Sequence, residues 1–141
     1  MTRLPAEDDV VERVPAVHWN SFTKVVEVAP RTLLVEVRGE LDGAATEQLR
    51  AELDRKMAET RVPVLLVDLS HVTLLSSAAM RLLLELHRRC RVEDRHLVLV
   101  GTGRPAVNRP LRIAGLLPLF HTRLTVESAL RRPRTSAVRS P

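Results

Sequence analysis

Residues 64–80 read VLLVDLSHVTLLSSAAM, and the order of residue types within them decides the fold. Val64-Leu65-Leu66-Val67 is a short uninterrupted apolar run, the pattern of a strand covered on both faces. It exits through Asp68-Leu69-Ser70-His71 and Val72-Thr73-Leu74-Leu75 into Ser76-Ser77, and a helix is predicted from about 77 to 90. On that helix Arg81, Glu85, Arg88 and Arg89 recur at i, i+4, i+7 and i+8 as a polar face. Ala79, Leu83, Leu86 and Cys90 lie opposite, so the helix is amphipathic. A buried strand running into such a helix is half of a parallel crossover unit.

The flanks extend the same alternation. Upstream, 24–28 and 32–37 read as two strands joined by a short turn at Ala29-Pro30-Arg31. After Gly39-Glu40-Leu41-Asp42-Gly43, Asp42 is placed to cap a helix beginning near Ala44. Ala45, Leu49, Leu53 and Met57 give that helix one apolar stripe over 44–58. Downstream, Leu97-Val98-Leu99-Val100 is a second buried strand, stopped by Gly101-Thr102-Gly103. Residues 105–115 look helical, but Pro110 predicts a distorted or broken helix. Phe120 to Val126 reads as a weak last strand and 127–131 as a final helical turn. The order β-β-α-β-α-β-α-β-α implies an α/β fold with a largely parallel sheet and an antiparallel opening hairpin.

Length and composition narrow the class. The chain has 141 residues, 45% of them hydrophobic, which fits one globular domain and excludes wholesale disorder. No window of about eighteen residues is free of charge, so no spanning helix is expected, and the N-terminus does not read as a secretory signal. Cys90 alone rules out an internal disulfide, and a reducing cytoplasm is the expected location. The net charge of +5 invites a nucleic-acid reading, but its distribution argues against one. Residues 1–20 carry a net −2, 21–130 a net +3, and 131–141 a net +4. Aromatic residues are 2% of the chain, leaving no platform on which bases would stack. We therefore expect a flexible N-terminal arm over 1–22, a domain over 23–131 and a disordered basic tail over 132–141.

Catalytic constellations are missing. The histidines (His18, His71, His87, His96 and His121) have no metal-ligand spacing. Asp68, Ser70 and His71 have the residue types of a triad, but they are consecutive, whereas a triad converges from separate elements. Gly101-Thr102-Gly103 is a weak phosphate loop and a better strand terminator, and Cys90 reads as a buried thiol. Ser76-Ser77 stands out. Both hydroxyls can cap the helix they precede, and the same position suits a phosphoryl group facing exposed N–H groups.

These residues together resemble a known family. Gly39-Glu40-Leu41-Asp42 after a strand, Val67-Asp68-Leu69-Ser-x-Val72-Thr73 before a serine-containing turn, and Gly115-Leu116 before Phe120 are similar to the STAS domain. More narrowly, the chain resembles the bacterial anti-sigma factor antagonists, from about Val25 to Leu130. The resemblance implies a four- or five-stranded mixed sheet with helices packed mainly on one face. It also implies partner exchange: the antagonist binds an anti-sigma factor that is a serine kinase and so releases a sigma factor. Phosphorylation at the start of the second main helix breaks the complex, and a phosphatase restores it. Such a protein is a binding module and a substrate, not an enzyme. It needs no cofactor or metal, touches neither nucleic acid nor membrane directly, and is a monomer or weak homodimer.

At the switch this sequence departs from the family pattern. Asp-Ser-Ser/Thr-Gly-Leu is here Ser76-Ser77-Ala78-Ala79-Met80. Ala78 occupies the usual phosphoacceptor position, so the switch is expected to be divergent or lost, with Ser77 and Ser76 as the remaining acceptors. Ala79, in place of the glycine, is expected to add a methyl where the partner approaches. Partner contacts are expected at Asp42, Ser76, Ser77, Ala78, Met80, Arg81 and Leu84. The alternative is a STAS module that senses a nucleotide or small ligand, or acts as a scaffold, with no sigma-factor role. The Gly101–Arg104 loop motivates it.

Overall fold

Strand β3, Val64–Leu75, is the axis of the molecule. The structure is a computed structural model and describes residues 23–29 and 31–131. Its elements in order are β1 (Thr23–Ala29), β2 (Thr32–Leu41), α1 (Gly43–Glu59), β3, α2 (Ser77–Val92), β4 (His96–Val100) and α3 (Pro105–Ile113). A 3-10 turn at Leu117–Leu119, β5 (His121–Arg123) and α4 (Val126–Arg131) complete it. The expected arm over 1–22 and tail over 132–141 lie outside the described residues.

The strands form one sheet in the order β1-β2-β3-β4-β5. β1 runs antiparallel to β2, and the other pairings are parallel. Alternation along the central strands divides the core. Leu33, Val35, Leu65, Val67, Leu97 and Leu99 face α1, α2 and α3 in one large cluster. Leu34, Leu66, Val98 and Val100 form a smaller cluster on the other face, against Val126, Ala129 and Leu130 of α4. Helices thus sit mainly on one side, as expected.

Several boundaries differ from the sequence reading. β3 does not stop at Val67 but runs on to Leu75 beside an equally extended β2. Its buried residues Val67, Leu69, Val72 and Leu75 step by two, three and three. Each three-residue step coincides with a shift in register against β2, where an extra residue bulges out of β3. The bulges break the two-residue period that would have revealed the strand. Pro110 lies inside a continuous α3 rather than breaking it. A helix of nine residues loses one N–H donor there, while buried Val107 and Leu111 fix it to the core. The last strand is shorter than expected, ending at Arg123, and α4 starts at Val126.

Candidate functional site

Parallel pairing of β2 and β3 brings the two strand ends, and the helices that follow them, side by side. Leu41 lies opposite Leu75, and the Ser76 backbone N–H donates to the Leu41 carbonyl at 3.2 Å. The 40–43 loop and the 74–77 turn are therefore one surface, at the carboxyl edge of the sheet. Asp42 caps α1, its Oδ1 accepting from the Ala45 N–H at 2.9 Å, as the sequence predicted. Ser76 caps α2 in the same way, its Oγ accepting from the Ala79 N–H at 3.1 Å. Neither helix has an acidic residue in its first turn, so the positive ends of two helix dipoles share this edge with the Asp42 cap as the carboxylate beside them.

The two serines thus divide their roles. Ser76 is half-buried and committed to the cap, whereas Ser77 is the first residue of α2 and exposed. The expectation that both hydroxyls cap the helix holds for Ser76 alone. Ala78 is half-buried. Ala79 is fully buried in the main core, so its methyl faces the sheet and not an approaching partner, contrary to the expectation from the missing glycine. At the third helical position the side chain turns inward.

Along α2 the four residues of the expected polar face separate. Glu85 pairs with Arg50 and Arg89 with Asp54 (2.8 Å), both tying α2 to α1. Arg81 and Arg88 are exposed. Leu84 is half-buried, and Met80 packs against the core. Leu74, 43% exposed on the turn itself, escaped the sequence reading because β3 looked finished before it.

Behind the turn, a second loop holds β3 in place. β4 ends opposite Asp68, so the 70–75 segment of β3 has lost its neighbour on that side. Arg104 fills the gap, its Nη1 donating to the Ser70 carbonyl at 2.8 Å and the Val72 carbonyl at 2.7 Å. Gly101, at φ +78, presses against Ser70; a Cβ there would lie 2.8 Å from the Ser70 backbone. Nothing in the local sequence signals Arg104, because its partners lie more than thirty residues away. Asp68 accepts from the Ser70 N–H (3.0 Å) and hydroxyl (2.6 Å), closing a local turn, and His71 is exposed; no triad is assembled.

A cavity of about 370 Å³ opens beside this loop, lined by Thr102, Gly103, Asn108, Leu117, Thr122 and Arg123 among others. Two of its polar side chains are engaged within the protein: Asn108 donates to the Thr102 carbonyl at 3.1 Å and Arg123 to the Thr122 carbonyl at 2.8 Å. Cys90 is buried, and its thiol is pushed up to about 11, chiefly by burial. Burial also holds His87 below its ordinary range, helped by nearby Arg91, and its ring meets Phe120 edge-on at 5.4 Å. Among the described residues no group of three or more His, Cys, Asp or Glu side chains could hold a metal, and no helix is long and apolar enough to cross a membrane.

Comparison with known proteins matches this arrangement to one family. The family model of the STAS domain matches residues 23–129. An anti-sigma factor antagonist from Mycobacterium paratuberculosis is 29% identical, with a TM-score of 0.69 over 79% of this chain and 92% of its own. The anti-sigma factor antagonist SpoIIAA in its unphosphorylated form shares the fold at 24% identity and TM-score 0.69, over 81% of this chain and 97% of its own. RsbS from Moorella thermoacetica shares it at 24% identity and TM-score 0.71, covering 82% and 97%.

Proposed function

We propose that this chain, which belongs to the STAS domain family, acts as an anti-sigma factor antagonist. It binds an anti-sigma factor of the serine-kinase type through the 40–43 loop, the 74–77 turn and the outward face of α2, and so frees a sigma factor. The observation that carries this reading is the position of Ser77. Its side chain is exposed at the first residue of α2, on an edge where the Ser76 N–H joins the neighbouring strand end. A phosphoryl group there would face helix N–H groups and add about −1.5 to −2 charges to a docking surface. The 29% identical relative is itself an anti-sigma factor antagonist.

The phospho-switch is divergent. Ala78 stands at the usual acceptor position, Ser76 Oγ is held by the Ala79 N–H, and Ser77 is the hydroxyl a kinase can reach. Asp42, Ser76, Ser77, Ala78, Met80, Arg81 and Leu84 are the proposed contact residues, joined now by Leu74. Asp42 and Met80 act partly through the scaffold, one as a cap and one against the core. The protein is a binding module of the cytoplasm rather than an enzyme, and a phosphatase would restore its active form.

In vitro phosphorylation by the cognate anti-sigma kinase tests the switch. Incorporation into wild type and Ser76→Ala, but not into Ser77→Ala, is the expected result. No incorporation into wild type would mean a switch lost and an antagonist always competent to bind. Failure of the kinase to form any complex with the unmodified protein would overturn the antagonist reading itself.

The ligand-sensing alternative has one supporting observation, the cavity beside Gly103. Arg104, the cation of the loop that motivates this alternative, is occupied by two β3 carbonyls, which favours the antagonist reading. Calorimetric titration with ATP, GTP and their diphosphates separates the two, and heat from any of them would revive the alternative.

A further inference from the structure

The outward side of α2 carries a pattern that neither the fold nor the core explains. Ser77, Arg81, Leu84, Arg88 and Arg91 follow one another at steps of four, three, four and three. That spacing places them in one stripe about 21 Å long on the side away from the sheet. The arginines of the stripe differ from their neighbours. Arg50, Arg55, Arg89 and Arg95 all pair with carboxylates. Arg81, Arg88 and Arg91 are exposed and have no ion pair among the described residues. The one acid on α2, Glu85, is turned away to Arg50. Glu40 stands near the end of β2 opposite Leu74, and Asp42 is engaged with Ala45. At the centre of the stripe Leu84 is half-buried and does not join the core cluster.

We propose that this stripe is the docking surface for an acidic amphipathic helix of the partner protein, carboxylates meeting Arg81, Arg88 and Arg91 around an apolar contact at Leu84. Charge complementarity selects the partner. The proposal rests on the antagonist reading and gives it a chemistry: a phosphoryl group on Ser77 would fall one turn from Arg81, pair with it, and turn the leading end of a basic stripe anionic. An acidic partner would then be repelled where it first docks. A single helix offers this stripe little depth for a duplex, and no stacking residue lies along it.

The test uses the isotope-labelled full-length protein and a synthetic helical peptide with glutamates at four-three spacing around one leucine. We expect amide shifts confined to 77–92, with affinity falling steeply as salt rises through the range where exposed charges are screened. Arg81→Glu combined with Arg88→Glu should weaken binding by at least about tenfold. The corresponding lysine variants should retain most of it, and Arg131→Glu, exposed on α4 across the sheet from α2, should leave it unchanged. Equal binding by a lysine version of the peptide, or no loss on charge reversal, overturns the proposal. So does tighter binding of a 20-base-pair duplex at the same amides. Shifts in 77–92 on neutralising Glu7, Asp8, Asp9 and Glu12 with no peptide present would assign the stripe to the chain's own N-terminal segment and also overturn it. Peptide binding without any anti-sigma factor complex would leave the docking chemistry standing and remove the antagonist role, so the two claims fail separately.

Discussion

Gly101 occupies a position only glycine fills well: its φ is +78, and an added Cβ would meet the Ser70 backbone at 2.8 Å. Gly101→Ala should therefore cost about 2–4 kcal/mol in denaturant unfolding. Ser76 and Ser77 give a sharper contrast. Ser76→Ala removes a cap and should cost about 1 kcal/mol. Ser77→Ala, at an exposed first-turn position, should stay within about 0.5 kcal/mol. Equal losses at both would contradict the division of roles between them. Cys90, with its thiol at about 11, should react with a thiol reagent only as the protein unfolds. At this scale the sequence told much about Asp42 and Cys90, whose local patterns carry the information. It could not tell Ser76 from Ser77, because which hydroxyl caps depends on where the helix begins to within one residue.

Helix α2 joins the serine turn to the core, and its two flanks answer to different forces. On one, Glu85 and Arg89 reach α1; on the other, His87 lies against Phe120 with its pKa lowered by burial. Below the ordinary histidine range near 6.5 the unfolded chain takes up the proton before the folded one does. His87 should thus make the protein less stable as pH falls from about 7 to 5, and His87→Gln should flatten that part of the profile in thermal unfolding measured across the range. Arg104 is the strut of the opposite element. Arg104→Ala frees the Ser70 and Val72 carbonyls and should cost about 1–2 kcal/mol, with amide exchange accelerating over 70–75 and not in α1. Helices α1 and α2 were legible in the sequence because their apolar stripes are regular. The sequence reading lost the second half of β3, because the bulges there replace the two-residue period with three-residue steps. It also misjudged Pro110, whose local cost is outweighed by the anchoring of Val107 and Leu111.

Across the described residues a five-stranded sheet carries α1, α2 and α3 on one face and α4 on the other, and two capped helix starts and a short turn share its carboxyl end. The largely parallel sheet with its antiparallel hairpin was legible from element order, whereas the gathering of helices mainly on one face was implied only by the family resemblance. The docking chemistry was legible in neither. It depends on which arginines are spent in ion pairs, and only the placement of α1 beside α2 decides that. The +5 net charge acquires a specific meaning as a result: part of it is the unpaired stripe on α2, which we propose as the docking surface for an acidic partner. The most direct test is a displacement titration, in which the protein is added to a preformed complex of a labelled sigma factor and the serine-kinase anti-sigma factor from the same cells. The unmodified protein is expected to release the sigma factor, and Ser77→Glu to lose that release. A sigma factor that stays bound at saturating concentrations of the unmodified protein would contradict the antagonist reading.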